Sequence, residues 1–166
     1  MKNWPERVML VVVVLAAVGY LLFKNPIRFH QTVQVNGLTM QIPVLWTPVK
    51  YPGEGMLVAV RREWAQSGTV DLMDRTVFGK KEGPWLMNEA RHEQAGLVAL
   101  QAKDGRFTNP RFLDLNAGKF TAACEEATVE GNEALTCYIV GTTLQFSYLG
   151  SRRYEPAARR MLASLN

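Results

Sequence analysis

Lys119–Tyr148, KFTAACEEATVEGNEALTCYIVGTTLQFSY, decides how this chain folds. It is β-rich, a meander of short strands separated by turn residues. Gly131-Asn132 and Gly141 stand where turns are needed. The segment reads as three strands, Lys119–Thr128, Ala134–Val140 and Thr143–Tyr148. A fourth, Arg111–Leu115, enters through a turn at Asn116–Gly118. A hairpin turn at Glu130-Gly131 sets Cys124 opposite Cys137, Ala122 opposite Ile139 and Phe120 opposite Gly141. That face is mostly apolar, so the register is self-consistent.

Cys124 and Cys137 are the chain's two cysteines. Three readings stand for them: a disulfide, buried free thiols, or reactive or metal-binding cysteines. Outside the cytoplasm they form a disulfide, which stabilises by closing a loop. Their spacing is not Cys-x-x-Cys, so the thiol redox motif is absent.

Upstream, Thr32–Ile42 reads as a hairpin. Val33 and Val35 alternate with polar residues, Asn36-Gly37 turns, and Leu38, Met40 and Ile42 alternate again. Pro43 ends that ladder, and Trp46 follows at a corner over the core. Met56–Arg62 and Thr69–Met73 are further strands. Pro84–Leu100 reads as a helix, with Trp85, Leu86, Ala90, Leu97 and Leu100 at helical spacing. Gly96 weakens it and Asp104-Gly105 ends it. Glu155-Pro156 opens a closing helix whose apolar side is Ala157, Ala158, Met161, Leu162 and Leu165. The expected fold is α+β: an antiparallel β-sheet sandwiched by helices and preceded by one N-terminal transmembrane helix.

The last expectation comes from Val8–Phe23, VMLVVVVLAAVGYLLF, which holds no charge. A bilayer core of about 30 Å needs about 20 apolar residues, and this run falls just short. Lys2 and Arg7 before it and Lys24 after it can snorkel to lengthen it, with Trp4 and Tyr20 near the interfaces. The organisation read from the sequence is a tail over 1–7, a signal-anchor helix over 8–23 and a tether over 24–30. An extracytoplasmic (periplasmic) domain over 31–166 follows. Cleavage near Ala17-Val18-Gly19, as in a signal peptide, is the main competing reading, and a buried core helix is the third.

The chain has 166 residues and a formal net charge of +4. Its cations are not clustered as phosphate neutralisation demands, so nucleic acid is not an expected partner. One local basic patch stands out: Arg152, Arg153, Arg159 and Arg160. It reads as a solvated helix face or as a contact for anionic lipid or an acidic partner.

Catalytic signatures are missing. His92-Glu93 begins a zinc-protease motif, but Gly96 stands where the second His belongs, so no metal site is expected. Ser67 lacks the flanking glycines of a nucleophile elbow. Gly79–Gly83, GKKEG, lacks phosphate-loop spacing. Glu125 and Glu126 are adjacent in a strand, so they face opposite ways and cannot work as a carboxylate pair. Trp46, Tyr51, Trp64 and Trp85 sit beside loops or element ends and read as core. The alternative is a shared cleft between the first hairpin and the central helix, with Arg61, Arg62 and Glu63 as its polar groups.

Leu38–Trp46, LTMQIPVLW, resembles the early strand and Pro-x-x-Trp passage of PsbP-like and DcrB-like domains. Phe146–Pro156, FSYLGSRRYEP, continued by Met161–Leu165, resembles their last strand and closing helix. The resemblance implies an antiparallel sheet sandwiched by helices, and a non-enzymatic accessory or assembly factor at a membrane surface. It carries no catalytic residues and no cofactor. The expected function is a membrane-anchored, extracytoplasmic binding or assembly module with an envelope or membrane protein partner. The rival readings are a hydrolase assembled around His92 and a small-ligand carrier with an aromatic-lined cleft.

Overall fold

A computed structural model describes residues 12–14, 30–51, 56–63, 66–77 and 83–166. Strands β1 (His30–Val35) and β2 (Leu38–Pro43) pair as a hairpin of their own. Asn36 and Gly37 turn it with φ of 48° and 80°, the positive pair that a tight hairpin needs. Strands β3 (Thr47–Tyr51), β4 (Met56–Glu63) and β5 (Gln66–Asp74) form one antiparallel meander. Helix α1 (Met87–Asp104) leads to a second meander of β6 (Phe107–Ala117), β7 (Phe120–Val129), β8 (Asn132–Ile139) and β9 (Leu144–Gly150). Strand β9 then pairs with β5, joining the two into a seven-stranded sheet ordered β3-β4-β5-β9-β8-β7-β6. Helix α2 (Glu155–Ala163) follows.

One face of the sheet is closed by the β1–β2 hairpin together with α2. Leu57, Leu72, Leu135, Ile139 and Phe146 point into this core, where Met40 and Ile42 meet Met161 and Leu162. Period-two alternation on the strands and the apolar side of α2 supply these residues. The hairpin is tied to the chain's last residues. Thr39 and Asn166 exchange two backbone hydrogen bonds of 2.9 and 3.1 Å, and the Gln41 amide donates to Ser164 Oγ at 2.9 Å.

The opposite face is only partly covered. Helix α1 lies over β6 and β7. A small cluster of Trp85, Ala90, Ala123 and Tyr138 holds its start, with the Trp85 and Tyr138 rings edge-on at 4.9 Å. The helix ends at Gly105, whose φ of 67° provides a left-handed cap.

The expected register is observed: Cys124 pairs with Cys137 and Ala122 with Ile139. The two cysteines are bonded across adjacent strands with their Cα atoms 4.0 Å apart, in the buried core. In the chain-entropy picture a loop of this length is worth about 3 kcal/mol. Alkylation and mass spectrometry of the unreduced protein should find no free thiol. Cys124→Ala with Cys137→Ala should lower the unfolding free energy by about 3 kcal/mol.

Two parts of the expected fold are corrected. The architecture is mostly β: of the described residues 54 % lie in strands and 24 % in helices. The helical sandwich fails because the β1–β2 hairpin takes part of one face and, among the described residues, α1 covers only part of the other. Secondly, among the described residues no helix is long and apolar enough to cross a membrane. The expected span Val8–Phe23 lies outside the described residues except for Val12–Val14, which are helical and exposed. The tail over 1–7 and the tether up to residue 29 also lie outside them.

Candidate ligand-binding groove

Strand register builds the uncovered face row by row. Tyr138 on β8 stands beside Gln145 on β9, which stands beside Met73 on β5. One step along, Val58, Asp71, Ser147, Thr136, Glu125 and Phe112 form a row from β4 to β6. The next row carries Thr69, Leu149, Ala134 and Ala127. A sheet face turned toward a helix would ordinarily be apolar throughout. Here its middle is polar.

Between this face and α1 lies a groove of about 860 Å³, within the range of small-molecule sites. Strands β5, β9 and β8 give its floor, and Glu93, Gly96, Leu97, Leu100 and Gln101 of α1 give its wall. Arg75, just past β5, stands at one end; Phe107 and Val129 stand at the other. The Arg75 backbone is placed there by its amide, which donates to the Thr143 carbonyl at 3.0 Å.

Several polar atoms of this region are buried without a hydrogen-bond partner among the described residues. They are Arg75 Nε, Gln101 Oε1, Gln145 Oε1 and Glu125 Oε1. Such atoms cost about 1–3 kcal/mol each when left unpaired. Gln101 is 7 % exposed and reaches across the groove's base, its Nε2 donating to Glu125 Oε2 at 3.2 Å. Burial pushes the Glu125 carboxyl above its ordinary pKa, only partly opposed by the Gln101 hydrogen bond. Burial also raises Asp71. The Tyr138 hydroxyl is raised by burial first, then by the Glu93 and Glu125 charges, with Arg75 acting against them.

A buried carboxyl with a raised pKa favours folding while neutral. Its contribution is complete below the ordinary value of 4.5 and is lost as pH climbs through the raised value. Glu125→Gln should therefore raise stability at pH 7 by about 1 kcal/mol. It should also flatten the fall in stability above pH 4.5. Urea unfolding of both proteins across pH checks this.

The residues read from the sequence fall in different places. Trp46 is 2 % exposed and packs edge-on to Tyr154, 6.1 Å between centroids, on the hairpin side of the sheet. Trp85 lies on the α1 side, so the two do not share a cleft. Arg61 donates to the Leu45 carbonyl at 2.9 Å, while its neighbour Arg62 points to the other face. Tyr51 is the last residue of β3, and Trp64 lies outside the described residues.

In the basic patch, Arg152 is extended toward solvent, 3.9 Å from Glu133, and the Arg153 guanidinium sits 5.7 Å from the Tyr154 ring centroid. Arg160 is exposed. Arg159 is different: it is committed to Glu155 and Glu126. Burial works the other way, yet the Arg111 hydrogen bond and the Arg159 charge hold Glu126 below its ordinary range. Glu126 and Glu125 do face opposite sides of the sheet, as the strand spacing requires.

His92 lies exposed on α1, in a shallow recess lined by Trp85, Asn88, Glu89 and Glu93, none of which carries a nucleophilic hydroxyl or thiol. Among the described residues no group of three or more His, Cys, Asp and Glu stands together to hold a metal ion.

No known protein family and no curated protein matches this chain. The groove therefore rests on its own geometry. Sequence reading missed Asp71, Arg75, Gln101, Tyr138 and Gln145 in its polar lining, and Glu125 as the partner of Gln101. The available signal was their placement: once Cys124 pairs with Cys137, Thr136 must face Glu125 on the side away from the main core.

Proposed function

We propose that this domain is a non-catalytic, extracytoplasmic binding module that takes a small ligand into the groove beneath α1. The observation that carries this reading is a cavity of about 860 Å³ whose wall and floor keep buried polar atoms without partners among the described residues. A ligand would supply those partners. The disulfide supports a location outside the cytoplasm, where such bonds persist. The resemblance to PsbP-like and DcrB-like accessory domains supports a role without chemistry of its own.

Gly96 offers the test. It lies on the groove wall, and a Cβ there would meet nothing within 4 Å. Gly96→Leu should fold well, gaining about 1 kcal/mol of helix propensity, while filling the groove. A thermal-shift screen of small molecules should give ligands that stabilise the native protein and slow hydrogen exchange in α1. The same ligands should fail with Gly96→Leu. Ligands indifferent to this substitution, or none at all, would refute the reading.

An assembly role has one observation of its own: the uncovered part of the sheet presents Val49, 41 % exposed, and Leu149, 52 % exposed. Cross-linking that traps an envelope protein on these residues would favour it.

A further inference from the structure

The groove is not uniform along its length, and its gradient specifies a ligand. This inference rests on the binding role proposed above and deepens it. From Tyr138 to Ala134 the floor runs along β8 for about 13 Å. At the Tyr138 end the floor and its surroundings are polar: Gln145 and Asp71 from the strands, Arg75 at the mouth, and Glu93 from the helix. Toward the other end the strands offer Ala134 and Leu149, with Val129 and Phe107 beyond. Leu97 and Leu100 of α1 complete that apolar half, and Leu100 is 66 % exposed.

Both signs of charge stand at the polar end, and they are not neutralised locally. Among the described residues Arg75, Asp71 and Glu93 form no ion pair with one another or with any other residue. Among the described residues Arg75 Nε is a donor without an acceptor, while Gln145 Oε1 is an acceptor without a donor. A second such acceptor, Gln101 Oε1, belongs to a side chain that is 7 % exposed. A purely anionic head would face Asp71 and Glu93 unfavourably; a purely cationic head would leave Arg75 unanswered. An apolar chain is needed to dry the Leu97–Leu100 half, since no segment among the described residues covers it.

We infer that the groove binds a single-chain zwitterionic amphiphile, its anionic oxygen on Arg75, its ammonium between Asp71 and Glu93, and its chain beneath Leu97 and Leu100. The ammonium N–H groups also satisfy Gln145 Oε1. The apolar tail runs over Ala134 and Leu149 toward Phe107.

The test titrates the full-length protein with four probes below their micelle-forming concentrations. They are N-dodecyl-β-alanine, whose ammonium lies between its chain and its carboxylate, laurate, dodecylammonium and N-methyl-β-alanine, which is the head without the chain. The zwitterionic amphiphile should bind at least about tenfold more tightly than either singly charged chain, and the head alone should bind weakly. Arg75→Gln should weaken its binding about tenfold and leave dodecylammonium unaffected. Leu100→Asp, at an exposed position, should weaken all three chain-bearing probes.

Binding that neither substitution changes is adsorption elsewhere on the chain and overturns the inference. Leu100-dependent binding of laurate or dodecylammonium as tight as that of the zwitterion overturns the head assignment while leaving the groove a ligand site. Failure of every amphiphile overturns the inference, and the Gly96→Leu comparison then judges the groove separately.

Discussion

Phe146→Ala should lower the unfolding free energy by about 4 kcal/mol. Phe146 is fully buried on β9, the strand that joins the two meanders. Leu72 on β5 and Cys137 on β8 flank it in register, and Cys137 is further held by its bond to Cys124. Ladder hydrogen bonds fix both flanking strands, so the space left by the ring cannot close by moving either one. Truncation therefore loses the transfer energy of the ring and keeps most of the cavity. Phe112 on the edge strand β6 is the control. It is 59 % exposed, and Phe112→Ala should change stability by less than about 0.5 kcal/mol. Urea unfolding with an unchanged slope would show that the native state, and not the denatured ensemble, carries the difference. Equal losses from the two substitutions would mean that β9 does not sit at the centre of the core.

Parts of this fold are legible in the sequence because two independent constraints coincide there. Between β7 and β8 the turn at Glu130-Gly131 and the alternation of apolar residues demand the same register, and a slip of one residue would bury Glu125's neighbours wrongly. Asn36-Gly37 and the closing helix at Glu155-Pro156 are marked just as locally. The face of α1 was not legible. Its sequence offers Leu86, Ala90, Leu97 and Leu100 as an apolar side, yet Leu86 is 59 % and Leu100 66 % exposed, while Gln94 and Gln101 are buried. A helix turns its apolar side inward only where the opposing surface is apolar, and here that surface presents Glu125 and Thr136. Knowing this requires the place of β9 between β5 and β8, a pairing between residues 70 to 82 apart in the chain that no local spacing reveals. The same long-range pairing separates Trp46 from Trp85 and brings Asp71 into one row with Ser147, Thr136 and Glu125. The groove is thus a consequence of topology, and its residues look unremarkable until the sheet order is known.

Gly118→Ala should be still more damaging, by about 4 kcal/mol or more. Gly118 turns β6 into β7 with a φ of 64°, where an alanine is strained by about 1–2 kcal/mol. The larger part comes from contact. A Cβ on Gly118 would fall 1.4 Å from the Leu165 carbonyl oxygen and 2.6 Å from its carbon. Both are backbone atoms, so no side chain can swing aside. The end of the chain must leave the turn, and Leu165, 1 % exposed, leaves the core with it. The paired hydrogen bonds between Thr39 and Asn166 lie on the next residue and should break too. Amide exchange at Thr39 should then accelerate together with the fall in stability. Gly131 separates conformation from contact: its φ is 82°, but a Cβ there meets nothing within 4 Å. Gly131→Ala should therefore cost only the backbone strain, about 1 kcal/mol, and leave Thr39 exchange unchanged. If the two alanines prove equally costly, the strain of the turn and not the packing of the chain's end fixes the need for glycine at 118.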